Sequence, residues 1–174
     1  MEPIKTTDTA APIEIGVEPA DSADALRCVA AYFRELEERF EHGFDPGSGG
    51  YAGGAAKDGT RGCFLIARRG GQAVGCGELK ALDAQTGEIK RMWIAPDARG
   101  HGLARRLLDA LEEKARGLGM RRVRLDTNRT LKEAQALYRK AGYREIGRYN
   151  DNLYADFFFE KELAQLEKSR PISR

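Results

Sequence analysis

The residues in this chain best suited to chemistry are Arg99-Gly100-His101-Gly102-Leu103-Ala104. Small residues leave backbone N–H groups uncovered, and where such a run opens a helix, the partial positive charge of the helix start adds to them. The chemistry this suits is the holding of a phosphate group. Nucleophilic chemistry has less support. Cys28, Cys63 and Cys76 lie in apolar surroundings without a CxxC spacing, the pattern of buried thiols rather than of a disulfide framework or a zinc site. A cysteine nucleophile needs a histidine partner, and the two histidines are His42 and His101, the latter a loop residue expected in solvent. Metal-ligand clusters are absent from the sequence, so no metal is expected.

A phosphate loop works only between the right elements. Before it, Glu88-Ile89-Lys90-Arg91-Met92-Trp93-Ile94 reads as a strand, with Ile89, Arg91 and Trp93 on one alternating set and Lys90, Met92 and Ile94 on the other; Ala95-Pro96-Asp97 ends it. After it, Leu103, Leu107, Leu108, Leu111, Ala115 and Leu118 fall at helical spacing, and Gly117 and Gly119 supply the stop. Strand, glycine loop, helix is the order an anion site requires.

The remaining chain supplies the frame. Residues 1–12 are polar and read as a flexible lead-in, residues 13–163 as a single domain, and residues 164–174 as a charged tail. Ile13, Ile15 and Val17 alternate as a first strand. A helix follows from Asp21 or Ser22, with Leu26, Val29, Ala30, Phe33, Leu36 and Phe40 as its stripe and an end near Gly43. Residues 43–62 hold eight glycines and read as a mobile loop. A hairpin over residues 63–82, turning at Gly70-Gly71, leads into the strand before the glycine loop. Beyond the central helix, Val123, Leu125 and Thr127 alternate on a strand, and Thr130-Leu131-Lys132-Glu133 has the form of a capping box. Leu131, Ala134, Leu137, Tyr138 and Ala141 form the next apolar face, closed by Gly142. Residues 143–147 and 155–163 read as two more strands. The expected fold is a mixed α/β sheet without internal repeats.

Composition narrows the function. A formal net charge of +2, from 29 basic and 27 acidic residues among 174, gives no bulk attraction to nucleic acid or membrane. The sequence has no run of about 18 apolar residues and no basic-then-apolar leader, so a cytoplasmic location is the expectation.

Three segments together resemble the GNAT acetyltransferase superfamily. Arg99-x-x-Gly102-x-Ala104 is similar to its [Gln/Arg]-x-x-Gly-x-[Gly/Ala] acyl-CoA loop. The strand from Glu88 to Ile94, and the series Ala134, Leu137, Tyr138, Gly142 and Tyr143, resemble its other two signatures, in the right order and spacing over about residues 13–163. The resemblance implies a GNAT fold: a mixed, mostly antiparallel, six- to seven-stranded sheet flanked by helices, with a splayed parallel strand pair at the cofactor site. It also implies acetyl-CoA as co-substrate, with the pantetheine arm on the backbone of Met92 and Ile94 and the pyrophosphate on the amides of Gly100, His101, Gly102, Leu103, Ala104 and Arg105. Arg99, Arg105 and Arg106 are candidate phosphate contacts. One position departs from the family: where many members carry Asn, this chain has Leu131, and Asn128 is out of register.

By the same resemblance, Tyr138 is the candidate proton donor to the departing thiolate, and Glu88 the candidate base. An alkylamine with a pKa near ~10.4 must lose a proton before attack, and a phenol at ~10 stays protonated beside a thiol at ~8.5. A water-relayed proton transfer competes with a direct role for Glu88. The Met92 N–H would polarise the acyl oxygen. Tyr32, Arg39, Phe44, Tyr51, Tyr149, Asn150 and Asp151 are candidates for the acceptor side, and Glu35, Glu37, Glu38 and Glu41 read as a solvated acidic face. The expected activity is N-acetyl transfer, by direct attack, to the primary amine of a small molecule or amino acid, with homodimer formation left open. The alternatives are acetylation of a protein N-terminus or lysine, and a non-catalytic acyl-CoA sensor. A dinucleotide-binding oxidoreductase fails because Arg105 stands where the third glycine of GxGxxG belongs.

Overall fold

The computed structural model describes residues 11–47 and 61–165. Its elements in chain order are β1 (Ile13–Glu18), α1 (Ala23–Arg39), β2 (Gly62–Arg69), β3 (Gln72–Ala81), β4 (Thr86–Ile94), a single 3-10 turn at Pro96–Ala98, α2 (Leu103–Gly117), β5 (Arg122–Thr127), α3 (Lys132–Lys140), β6 (Arg144–Ile146) and β7 (Phe157–Glu162). The strands form one seven-stranded sheet in the order β1-β2-β3-β4-β5-β7-β6. Every pairing is antiparallel except β4 with β5. That parallel pair is joined only at Thr86–Arg122, Gly87–Val123 and Glu88–Arg124, after which the strands part. This is the GNAT fold expected above, splayed pair included. Of the glycine-rich loop, residues 48–60, with Tyr51, lie outside the described residues, as do residues 1–10 and 166–174.

α2 and α3 cover one face of the sheet and α1 the other. Leu107, Leu108, Leu111 and Ala115 are fully buried beside Leu65, Leu79, Val123, Leu125 and Phe159. Gly77 lets α2 sit that close, because a Cβ there would lie 2.7 Å from Leu111 Cδ1. On the opposite face, Ala25 and Cys28 of α1 pack on Phe64, Ile66 and Cys76. Ser22 caps α1 as expected, its hydroxyl oxygen accepting from the Ala25 N–H at 3.0 Å.

Four local expectations are corrected. In α1 the buried positions are Ala25, Cys28 and Leu36, while Leu26 is exposed, because the small residues face the sheet. α1 also stops at Arg39; Phe40 turns extended, meets Phe44 edge-on and stacks with Tyr154 rather than extending the helical stripe. The capping box does not form: the Thr130 hydroxyl donates to Asn128 Oδ1 at 2.9 Å, and Leu131 takes the cap position with no side-chain bond. In β4 the alternation slips. The register on β3 shifts between Cys76 and Glu78, and Arg91 adopts φ +53°, so two β4 residues occupy the place of one. Ile89, Met92 and Ile94 therefore all pack toward the α2 side, while Trp93 packs toward α1.

Candidate active site

The glycine loop ends in the geometry an anion site needs. Gly100 and Gly102 have φ +85° and +74°, and a Cβ on either would meet open space. The first helical bond of α2 runs from the Arg106 N–H to the Gly102 carbonyl at 3.1 Å. The amides of Leu103, Ala104 and Arg105 precede it and so have no carbonyl a turn behind them. They border an apolar cavity of about 380 Å³, lined among others by Met92, Ile94, Arg99, Gly100, Gly102, Leu103, Ala104, Arg105, Leu137 and Tyr138. His101 is exposed and does not contribute to that lining.

The arginines are more constrained than sequence alone implies. Arg99 donates through Nε to the Ile94 carbonyl at 2.9 Å and through Nη2 to both oxygens of Glu35 at 2.8 Å. Glu35 is thus part of an ion chain at the cavity mouth, not of a purely solvated acidic face; it lies 3.7 Å from Arg39, which in turn pairs with Glu133 of α3. Arg105 pairs with Asp109 at 3.0 Å while still lining the cavity. Arg106 donates to the Ile13 carbonyl at 3.0 Å and is not part of the lining.

Beside this cavity, and sharing Met92, Leu131 and Tyr138 with it, is a neck of about 60 Å³ that Asp126 also borders. Tyr138 lines both spaces and is 7% exposed, with its ring against Tyr143 and Phe159. Burial pushes its phenol well above the ordinary range, so it stays protonated. Beyond the neck lies a second, charged chamber of about 330 Å³, lined by Lys80, Glu88, Lys90, Arg91, Asp126 and Asn150 among others. Tyr32 lines all three spaces.

Glu88 is 8% exposed and held on one oxygen: the Tyr149 hydroxyl donates to Oε2 at 2.8 Å and Asn150 Nδ2 at 3.3 Å. The same Asn150 nitrogen donates to Asp126 Oδ2 at 2.5 Å, and Asn152 Nδ2 donates to Asp126 Oδ1 at 3.1 Å. Burial raises the Asp126 carboxyl, with the Glu88 charge adding to the shift and the amide of Asn150 opposing it. Sequence reasoning missed Asp126, Lys80 and Lys90. The one available signal was that, with Val123 and Leu125 facing the core, Asp126 must face the other way. Of the acceptor-side candidates, Tyr32, Asn150 and Asp151 line the chamber, Tyr149 supports Glu88, Arg39 lines the first cavity, and Phe44 packs against Phe33, Phe40 and Tyr154. Asn128 is structural, its Nδ2 donating to the Tyr154 carbonyl at 2.7 Å.

Residues 28–143, well over half of the chain, match the model of the acetyltransferase (GNAT) family. The chain belongs to the GNAT acetyltransferase family. An IAA acetyltransferase of Azospirillum brasilense is 44% identical over 86 residues, which is 48% of this chain and 56% of that protein. The chain thus spans about half the length of the curated relatives it matches. A GNAT-family acetyltransferase structure from Staphylococcus aureus superposes with a TM-score of 0.71 at 19% identity, covering 88% of this chain and all of that one. Another, from Elizabethkingia anophelis with acetyl-CoA bound, gives 0.60 at 17% identity over 87% of this chain and 98% of that one. Both show the fold. Among the described residues of this GNAT chain, no helix is long and apolar enough to cross a membrane. Those residues also bring together no group of three or more His, Cys, Asp or Glu side chains placed to hold a metal ion.

Proposed function

We propose that this chain is an acetyl-CoA-dependent N-acetyltransferase that acylates the primary amine of a small molecule or amino acid by direct attack. The observation that carries this reading is the run of three spaces with shared lining residues, from an apolar cavity at the amide end of α2, past Tyr138, to a chamber bordered by Glu88, Asp126 and Asp151. The residues fit the coenzyme. Open glycine turns, amides without helical partners and the β5-facing side of β4, which has no ladder beyond Glu88, offer donors and acceptors to a diphosphate and an amide-bearing arm. When bound, acetyl-CoA supplies an activated thioester.

The protein's own groups divide the remaining work. The amides from Leu103 to Arg105 hold the diphosphate, and the Met92 N–H holds the acyl oxygen beside the bulge at Arg91. An ammonium group gives up two protons on becoming an amide. Glu88 takes one, directly or through a water, before the nitrogen attacks. As the C–S bond breaks, Tyr138 gives its hydroxyl proton to the sulfur and is resupplied by the nitrogen.

Thiol release from acetyl-CoA across a panel of amines, paired with calorimetric CoA binding, tests the reading. Tight CoA binding with amine-dependent thiol release supports it. CoA binding without transfer to any small or peptide amine favours the sensor, and no CoA binding removes the reading altogether.

A further inference from the structure

The charged chamber is built with two signs. Lys80 stands opposite Glu88 across β3 and β4, and Glu78 opposite Lys90, so acids and bases alternate on the α1 face of the sheet. The acids converge: Glu88 and Asp126 are bridged by the one Asn150 amide. Asp126 also reaches the neck, whereas Lys80 borders only the chamber. Lys90 and Arg91 border the neck as well, and each has an acid of its own, Lys90 facing Glu88 and Arg91 pairing with Glu78 at 3.4 Å. Burial, together with the charges of Arg91 and Lys80, holds Lys90 below its ordinary range, opposed by Glu88 at 3.9 Å. Among the described residues, Lys80 makes no ion pair.

A simple amine seated here would pair with the carboxylates and leave Lys80 without a counter-charge in a partly desolvated space. A molecule with both signs satisfies both sides. The volume of about 330 Å³ suits a small molecule rather than a peptide segment. We infer that the acceptor is a small zwitterion, its amine at Asp126 and Glu88 beside the neck and its carboxylate-class anion against Lys80, which sets specificity. This rests on the acetyltransferase reading and narrows it to one acceptor class. A protein N-terminus, whose carbonyl is an amide, carries no such anion.

The test is kcat/KM for a panel of free α- and ω-amino acids, each paired with its methyl ester and its decarboxylated amine, after calorimetry with CoA. At least one free acid should exceed both of its partners by roughly tenfold or more, the size of a lost charge-assisted contact. Lys80→Met should raise KM for that acid about tenfold, leave kcat, ester turnover and CoA affinity near wild type, and so collapse the preference; Lys80→Arg should keep it. Esters or decarboxylated amines used as well as the acids, or a preference unmoved in Lys80→Met, overturns the inference. So does a chain that binds CoA yet acetylates no free amino acid, while the cofactor assignment survives. A chain that does not bind CoA fails at the earlier step, and the inference falls with it.

Discussion

Tyr138 stands at the boundary between two spaces of opposite character, an apolar cavity and a charged neck, with its hydroxyl kept protonated by burial. A phenol so placed stays neutral, the state the proposed transfer to a departing thiolate needs. Tyr138→Phe removes one oxygen without disturbing the ring contacts to Tyr143 and Phe159. The expected outcome is a kcat lower by about a hundredfold with CoA affinity unchanged, read from thiol-release kinetics and calorimetry. Undiminished turnover would remove the proton-donor role. The place of Tyr138 on the buried face of α3 was legible in the sequence because that apolar face repeats within one helix closed by Gly142. Asp126 was not, because its partners Asn150 and Asn152 return from a loop more than twenty residues on. Arg91 was misplaced for a related reason: its bulge is set by the register with β3, which no local alternation reveals.

At the level of elements, the start of α2 and the join between β1 and α1 carry separate tests. Gly102 occupies a left-handed conformation at φ +74° with open space where a side chain would project. In Gly102→Val a β-branched residue would meet strain of about 1–3 kcal/mol and also crowd the amides. CoA affinity should drop tenfold or more by calorimetry, and unchanged binding would refute the loop assignment. At the other join, the Ser22 hydroxyl donates to Glu18 at 2.5 Å, and Arg68 pairs with both Glu18 and Asp24. Those contacts, Ser22 first and Arg68 next, lower the Glu18 carboxyl below its ordinary value of 4.5. The folded state therefore binds fewer protons than the unfolded one in that window. The stability Glu18 contributes is complete above pH 4.5 and is lost as pH falls through the lowered folded value. Melting curves of Glu18→Gln should be less stable than wild type near neutrality and converge with it in acid; a constant gap at every pH would deny the linkage. The α2 stripe and the Ser22 cap were readable locally, since each depends on residues within a turn or two. The Thr130 capping box misled because Asn128 offered the same hydroxyl a nearer partner.

For the molecule as a whole, the sheet architecture was legible from the order of elements, whereas the three adjoining spaces appear only once β4, β5, α1 and the loop at Asn150 are brought together. A ligand that bridges these parts stabilises the folded state by mass action. CoA at a hundred times its Kd should add about 2.7 kcal/mol and raise the melting temperature by roughly 5–10 °C. A melting temperature indifferent to CoA would contradict a site assembled from so many elements.

The ladder between β4 and β5 is three residues long. It makes the sheet two slabs, one of four strands and one of three, meeting along a short seam that α2 packs across on one face and that the bonds of Tyr149 to Glu88 and of Asn150 to both Glu88 and Asp126 cross on the other. Such a seam is a natural fracture line. If the coenzyme arm binds along the gap as proposed, it would act as the missing rungs and turn two plates into one continuous sheet.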